Sequence, residues 1–249
     1  MIGTTSPDYV APNTAVVVQN KVGAKNAGTF DVDCACAAFP AQVAIAAGLL
    51  ATNAAMILLV GVDMIHRLSD PTDPGVFLWG DGAGAAVMEA GDREGFIGAA
   101  FQADGAYAFG WGIASGGSFE PANIDAVKAG RTRMRREAGN YPASVNEDNW
   151  PRLFQRLSAE CRFTPEQVDQ LIFTQISKPS IAIAAQRCKV PVEKCHTLMD
   201  AWGYTGSACI PMALDDAVGL RKIKRGDLVV MISSGPGWNQ AAAAIRWTI

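Results

Sequence analysis

The sequence predicts an α/β protein in which helices lie against β-sheets, and three observations support this fold class. Runs typical of buried strands alternate along the chain with runs typical of helices. Two of the helical runs consist largely of small residues, and the first of them is apolar on nearly every face, as in helices enclosed between other layers. The order strand, turn, small-residue helix and strand pair occurs at residues 30–88 and again at residues 195–246. The pattern therefore predicts a duplicated α/β unit.

In the first half, a helix is expected to open within residues 9–20 and a strand to follow at 28–32. Residues 37–53 predict the first buried helix, because apolar residues occupy almost every face. The continuous apolar run 56–62 is typical of a strand covered on both sides. The remaining predictions for this half are a polar, proline-rich loop at 63–75, strands at 76–79, 85–90 and 97–102, and a tight turn at 80–84.

An irregular, glycine-rich segment at 105–145 separates the halves. We place the boundary inside it, which gives a domain of residues 1–120 and a second domain of residues 121–249. Residues 149–161 predict an amphipathic helix with an apolar stripe, followed by a capped helical start at 164–167. The other elements predicted here are strands at 168–174, 195–199, 227–233 and 241–248 and helices at 180–188 and 205–220.

The composition excludes several classes of protein. With 249 residues, 49% of them hydrophobic and 18% charged, the chain can bury a large core, and its net charge of −3 does not favour nucleic-acid binding. No apolar run is long enough for a membrane span, and the N-terminus lacks the pattern of a secretory signal. The six cysteines lack regular spacing and the two histidines stand apart from them. These features predict free thiols in a reducing compartment, here the cytoplasm, and no metal site.

Cys36 is the candidate nucleophile, because it lies where the predicted strand 28–32 passes into a buried helix. A helix start offers unpaired backbone N–H groups and the positive end of the dipole, and both favour the reactive thiolate. Cys34 is expected to point into the core on the other side of the extended segment. Asp33 would oppose ionisation if it lay beside the thiol. A buried structural cysteine is the alternative interpretation of Cys36.

Five segments resemble beta-ketoacyl-ACP synthase III of the thiolase superfamily in order and spacing. The segments are DVDCACAAF at 31–39, DPTD at 70–73, WGDGAGAAV at 79–87, TGSACIPMALDDA at 205–217 and GPGW at 235–238. The resemblance implies a layered α-β-α-β-α sandwich built from two similar halves. It also implies that the family's first strand-helix-strand-helix segment has no counterpart here, so that the N-terminal half is incomplete. We expect either a longer product or a second polypeptide that supplies this piece.

The resemblance implies that Cys36 attacks an acyl thioester of CoA or acyl carrier protein and holds the acyl group. The backbone N–H groups of Cys36 and Gly237 would then match the family's oxyanion hole, because Pro236 has no N–H to offer. No cofactor is implied beyond the CoA or phosphopantetheine that carries the acyl group. Arg131 and Arg133 would bind phosphates of CoA or an acidic carrier, although a solvated loop is an equal alternative.

Two positions depart from the family pattern. Thr174 stands where the family has a catalytic histidine, and Tyr204 where it has an asparagine; neither histidine of this sequence falls at the matching position. Both substitutes keep a hydroxyl, so Thr174, Gln175 and Tyr204 are expected to orient an acceptor. That acceptor is a malonyl thioester in a condensation, or an alcohol or amine in a simple acyl transfer.

A second function is compatible with the same departures. The chain would be a non-catalytic subunit that dimerises with a complete synthase and supports its site. The missing histidine favours this alternative, whereas the intact segment around Cys36 favours an acyltransferase. The expected partners are acyl-CoA or acyl carrier protein and, as a homodimer or heterodimer, a second copy or a related synthase.

Overall fold

Two mixed β-sheets organise the computed structural model, which describes residues 1–136 and 142–249. The strands are β1 (Ile2–Gly3), β2 (Met56–Met64), β3 (Asp81–Glu89), β4 (Phe96–Ala103), β5 (Trp111–Gly112), β6 (Arg135–Arg136), β7 (Gln170–Phe173), β8 (Leu228–Gly235) and β9 (Asn239–Arg246). In the first sheet β2 lies between β1, to which it is parallel, and β3, to which it is antiparallel. In the second sheet the order is β4-β9-β8-β7, with β7 and β8 parallel and β9 antiparallel to its neighbours.

The α/β class is confirmed, and the duplication is visible in the strand pairing. A parallel pair followed by an antiparallel pair recurs as β1-β2-β3 and as β7-β8-β9. The boundary between residues 120 and 121 stays a prediction. β4, which precedes that boundary in the chain, pairs with β9 of the second sheet.

Helices separate and cover the two sheets. They are α1 (Thr14–Val22), α2 (Ala38–Leu50), α3 (Ile65–Leu68), α4 (Ile124–Lys128), α5 (Val145–Cys161), α6 (Lys178–Cys188), α7 (Met199–Trp202) and α8 (Cys209–Gly219). α2 and α8 contribute Phe39 and Ile210 to one buried cluster that also contains Leu59 of β2 and Met231 of β8. These two helices therefore form the middle layer between the sheets.

The outer layers follow from the alternation of side chains along the strands. Val230 of β8 points away from the middle layer and packs with Trp150 of α5 and Ile181 of α6. On the far side of the first sheet, Val18 of α1 shares a groove with Leu58 of β2. The order of layers is thus α1, first sheet, α2 with α8, second sheet, and α5 with α6. No helix among the described residues is long and apolar enough to cross a membrane.

Several local predictions are wrong. Residues 28–32 form no strand beyond a single parallel bridge between Asp31 and Ile2. Residues 63–75 are not a continuous loop, because residues 63–64 end β2 and Ile65–Leu68 form α3. Residues 76–79 lie mostly in the 3-10 turn Pro74–Leu78, because Pro74 fixes its first position and the Asp73 carboxylate accepts from the N–H of Gly75. Residues 195–198 belong to no helix or strand, and Met199 begins α7. The last wrong prediction concerns the glycines at 80–84.

The sequence predicts a tight turn at residues 80–84, but residues 81–84 belong to β3. Their glycines reflect close packing rather than a turn. A Cβ on Gly84 would lie 2.8 Å from the Met212 nitrogen and 2.8 Å from the Pro211 Cβ, and one on Gly82 would lie 2.4 Å from the Met212 sulfur. The first sheet can therefore lie directly against α8 only with glycine at position 84, where the contact is with backbone, whereas at position 82 the contact is with a flexible side chain.

Candidate active site

A cavity of about 450 Å³ opens where the first turn of α2 meets the end of β8. Its wall includes Cys36, Trp79, Thr174, Tyr204 and Pro236. These residues come from both halves of the chain. The cavity is therefore assembled by the packing of the duplicated units rather than by one local motif.

Cys36 lies in a 3-10 turn, Ala35–Ala37, that continues directly into α2. The turn begins with a φ of +46° at Ala35, a left-handed conformation that is uncommon for a residue with a side chain. Two hydroxyl groups hold the turn: Ser207 Oγ donates to the Ala35 carbonyl at 3.1 Å and Ser233 Oγ donates to the Cys36 carbonyl at 2.6 Å. Contacts from the second half therefore fix the orientation of the cysteine.

The environment of the Cys36 thiol opposes its ionisation, which corrects the expectation of a thiolate favoured by the helix start. Burial is the largest cause and raises the pKa of Cys36 well above its ordinary value, and the charge of Asp63 and the thiol of Cys209 add to it. A hydrogen bond from Tyr204 and the backbone N–H of Cys36 oppose the shift. Asp33 acts instead on the half-buried Cys34, whose pKa rises to about 11, mainly through burial.

Asp63 is a fully buried carboxylate that backbone and hydroxyl donors solvate. Its Oδ1 accepts from the backbone N–H of Thr5 at 2.7 Å and from the hydroxyls of Thr4, Thr5 and Ser6 at 3.1, 2.8 and 2.9 Å. Its Oδ2 accepts from the backbone N–H of Ser207 at 2.6 Å. These hydrogen bonds compensate for burial of the charge and tie the N-terminal segment to the turn that precedes α8.

We expect alkylation of Cys36 by iodoacetamide to be slow near neutral pH and to keep accelerating beyond about pH 9, where a free thiol approaches its plateau. The reason is the raised pKa of Cys36, which keeps the thiol protonated at lower pH. Site-resolved mass spectrometry measures the rate, with a short cysteine peptide as control. A plateau below about pH 8 would show that the helix start dominates over burial.

Tyr204 lies against the thiol and is itself 4% exposed. It packs in the same buried cluster as Cys36 and lines the same cavity. Burial together with the two neighbouring thiols raises the pKa of the phenol well above its usual range. Its ring stacks on Trp79 with 5.0 Å between ring centroids. The backbone is fixed on both sides, because the Tyr204 N–H donates to the Leu78 carbonyl at 2.8 Å and the Gly80 N–H donates to the Tyr204 carbonyl at 2.9 Å.

Thr174 lines the cavity, but its hydroxyl proton is already in use. Ser233 Oγ donates to the Cys36 carbonyl, so its oxygen can only accept from Thr174 Oγ1, which lies 2.8 Å away. Thr174 Oγ1 in turn accepts from the Ser234 backbone N–H at 2.9 Å. The threonine thus completes a chain of hydrogen bonds that ends on the backbone of Cys36.

Three residues predicted to bind substrate do not line the cavity, namely Gln175, Arg131 and Arg133. The Gln175 amide is hydrogen-bonded within the protein: it donates to the Phe173 carbonyl at 2.8 Å and accepts from the Leu198 N–H at 3.0 Å. Arg131 pairs with Glu120 at 2.6 Å, and Arg133 donates to the Arg67 carbonyl at 2.5 Å.

The end of β8 and the residues after it approach the backbone of Cys36. A Cβ on Gly235 would lie 3.1 Å from the Cys36 nitrogen and 2.7 Å from the Ala35 Cβ, so the approach requires glycine. Gly235 and Pro236 line the cavity, whereas Gly237, with a φ of +102°, does not. The cavity wall therefore includes Pro236, which has no backbone N–H.

The sequence did not predict a polar wall of the cavity. The Trp150 indole N–H donates to Ser234 Oγ at 2.7 Å, and Ser234 Oγ donates to the Asn146 amide oxygen at 2.7 Å. Ser234 and Asn146 both line the cavity. The one signal in the sequence is a pair of serines, Ser233 and Ser234, at the end of an otherwise apolar strand.

Comparisons with known proteins show the family of the chain. The family model described as 3-oxoacyl-(acyl-carrier-protein) synthase III matches residues 30–105, and the model of the C-terminal part of the same synthases matches residues 159–247. The beta-ketoacyl-(acyl-carrier-protein) synthase III of Syntrophomonas wolfei is 34% identical over 250 residues, which cover 99% of this chain and 75% of the relative. The Escherichia coli K12 enzyme of the same name is 30% identical over 99% of this chain and 76% of its own length.

Solved structures give the same result. The chain superimposes on 3-oxoacyl-(acyl carrier protein) synthase III of Pseudomonas aeruginosa with a TM-score of 0.89, at 26% identity, over 100% of this chain and 76% of that one. For the Thermus thermophilus synthase the TM-score is 0.88 and the identity 28%, over 99% of this chain and 76% of the other. The layered order of sheets and helices is therefore shared with these synthases.

Proposed function

The chain belongs to the 3-oxoacyl-(acyl-carrier-protein) synthase III family, and from this premise we propose that it is an acyltransferase whose Cys36 accepts an acyl group. The donor is a thioester of coenzyme A or of acyl carrier protein. The observation that carries the proposal is the position of Cys36 at the start of α2, facing a cavity from a turn that the second half holds in place.

The transfer balances without a further reactant. Cys36 Sγ forms a bond to the carbonyl carbon, the carbon–sulfur bond to coenzyme A breaks, and the thiol proton of Cys36 ends on the sulfur of the released coenzyme A. The carbonyl oxygen carries negative charge in between. The Cys36 N–H at the helix start supplies a donor for that charge.

The wall of the cavity suits a thioester arm. Trp79 and Trp111 offer apolar surface, and Asn146 and Ser177 offer hydrogen-bonding groups. A pantetheine arm has alternating methylene and amide groups and needs both kinds of contact.

The acceptor is less constrained than the donor. The two histidines of the chain lie elsewhere, where His66 pairs with Asp81 and His196 pairs with Asp216. Condensation with a malonyl thioester would thus proceed without an imidazole, and transfer to an alcohol or amine is the other outcome. The hydroxyl of Tyr204 and the amide of Asn146 are the hydrogen-bond donors in the cavity wall that would orient an acceptor.

The proposal predicts release of coenzyme A when the protein is mixed with an acyl-CoA and an acceptor. The reaction is run with malonyl-ACP, with small alcohols and amines, and with buffer alone, while free thiol and 3-oxoacyl-ACP are measured. A 3-oxoacyl product supports condensation, and thiol release with another acceptor supports simple transfer. Absence of thiol release with every donor, from protein shown to be folded, would contradict the proposal.

The alternative of a non-catalytic subunit is supported by one observation, the raised pKa of Cys36 in a cavity wall to which neither histidine contributes. Such a subunit would bind a complete synthase without turning over. This alternative would be favoured if the isolated protein were inactive and if it activated a co-expressed synthase of the family.

A further inference from the structure

The stabilisation of the oxyanion at Cys36 requires a second donor. A carbonyl oxygen that becomes an oxyanion is held by at least two preorganised donors in acyl-transfer sites. The Cys36 N–H is one, and it lies against Gly235. The next residue at the cavity wall is Pro236, which has no N–H. At the position of Pro236 the backbone therefore offers no second donor.

Most hydroxyl groups around Cys36 already donate their proton to a neighbouring group. Ser233 donates to the Cys36 carbonyl, Thr174 donates to Ser233, and Ser234 donates to Asn146. Each of these protons holds a neighbouring group in place. The Tyr204 side chain lines the same cavity and packs in the same buried cluster as Cys36, and its hydroxyl holds no other group among the described residues.

The Tyr204 hydroxyl gains a better acceptor when Cys36 is acylated. The sulfur is a weak acceptor both as a thiol and as a thioester, whereas the carbonyl oxygen beside it becomes a strong acceptor as negative charge develops on it. The phenol needs only a change of hydroxyl direction to reach that oxygen. Its ring stays fixed by stacking on Trp79 and by the backbone hydrogen bonds to Leu78 and Gly80.

We propose that the Tyr204 hydroxyl is the second oxyanion donor of this site and replaces the backbone N–H that Pro236 lacks. The inference rests on the proposed acylation of Cys36 and departs from the sequence prediction that Gly237 fills this role. In the step, Sγ bonds to the carbonyl carbon, Tyr204 and the Cys36 N–H hold the oxygen, coenzyme A leaves, and the thiol proton ends on coenzyme A. Tyr204 keeps its own proton throughout.

The test compares Tyr204→Phe, Pro236→Gly and the double variant. Single-turnover acylation of Cys36 by an acyl-CoA is followed by quenching and intact mass. We expect Tyr204→Phe, which keeps the ring stack on Trp79, to acylate about 10²–10³-fold more slowly. Pro236→Gly restores a backbone N–H, so the double variant is expected to recover most of the lost rate.

Alkylation by iodoacetamide provides the matched control, because that reaction forms no oxyanion. Tyr204→Phe is expected to slow acylation much more than alkylation. Equal losses in both reactions, or acylation at the wild-type rate, would overturn the assignment while leaving acylation of Cys36 in place. A wild-type protein that no donor acylates would overturn both the inference and the proposed function. If Pro236→Gly does not fold, the ratio of the two rates in Tyr204→Phe alone decides.

Discussion

Cys36→Ala is expected to release no coenzyme A above the uncatalysed rate and still to fold. The substitution removes the sulfur that forms the covalent bond, and the methyl group that remains cannot act as a nucleophile. It also removes a buried sulfur from the cluster that contains Tyr204, which costs about 0.5–3 kcal/mol of stability. A domain with typical stability tolerates that loss.

Cys36→Ser is the matched control for folding. Serine nearly keeps the volume and retains an acceptor for Tyr204, so its stability is expected to exceed that of the alanine variant. Its hydroxyl has no adjacent base to activate it among the described residues of the cavity wall, and coenzyme A release is expected to be lost here too. Retention of wild-type turnover by the folded alanine variant would remove Cys36 from the mechanism.

Gly61→Ala is expected to cause a large loss of stability from a single methyl group. A Cβ on Gly61 would lie 2.2 Å from the Ser207 carbonyl oxygen and 3.0 Å from Pro211 Cγ. The clash is with backbone, so the turn that carries the Ser207 N–H to Asp63 must move. We expect a loss of about 3 kcal/mol in the free energy of unfolding, at the upper end for overpacking.

Gly48→Ala is the control for this prediction. Gly48 lies in α2, and a Cβ added there would meet no neighbouring side chain or distant backbone within 4 Å. Alanine at this position is therefore expected to raise stability by up to about 1 kcal/mol through helix propensity. Urea unfolding followed by tryptophan fluorescence measures both variants. Equal stabilities for the two variants would contradict the close packing of β2 against the turn before α8.

Strands and buried helices were predictable where a single pattern decided them. The apolar runs of β2 and β8 and the small-residue composition of α2 are local properties, and the structure confirms all three elements. The prediction for segment 80–84 failed because glycine occurs both in turns and where a helix packs closely on a strand. The sequence pattern indicates a turn, whereas in the fold these glycines allow close packing of α8, a helix more than a hundred residues away in the chain.

The sequence predicted the position of Cys36 at a helix start, but it did not predict the pKa of its thiol. The helix start is local and was visible in the sequence, but burial and the charge of Asp63 are tertiary and reverse the expected effect on the thiol pKa. The commitment of the Thr174 hydroxyl depends on Ser233, which is distant in sequence. Gln175 and Arg131 have the right chemistry for substrate binding, but the fold gives them partners away from the cavity.

The most direct test of the claim that Cys36 carries an acyl group is the intact mass of the protein after incubation with a series of acyl-CoAs. We predict a gain equal to one acyl group for at least one donor, absent in Cys36→Ala and removed by hydroxylamine, which cleaves thioesters. Folded wild-type protein whose mass is unchanged by every donor, or an equal gain in Cys36→Ala, would contradict the claim.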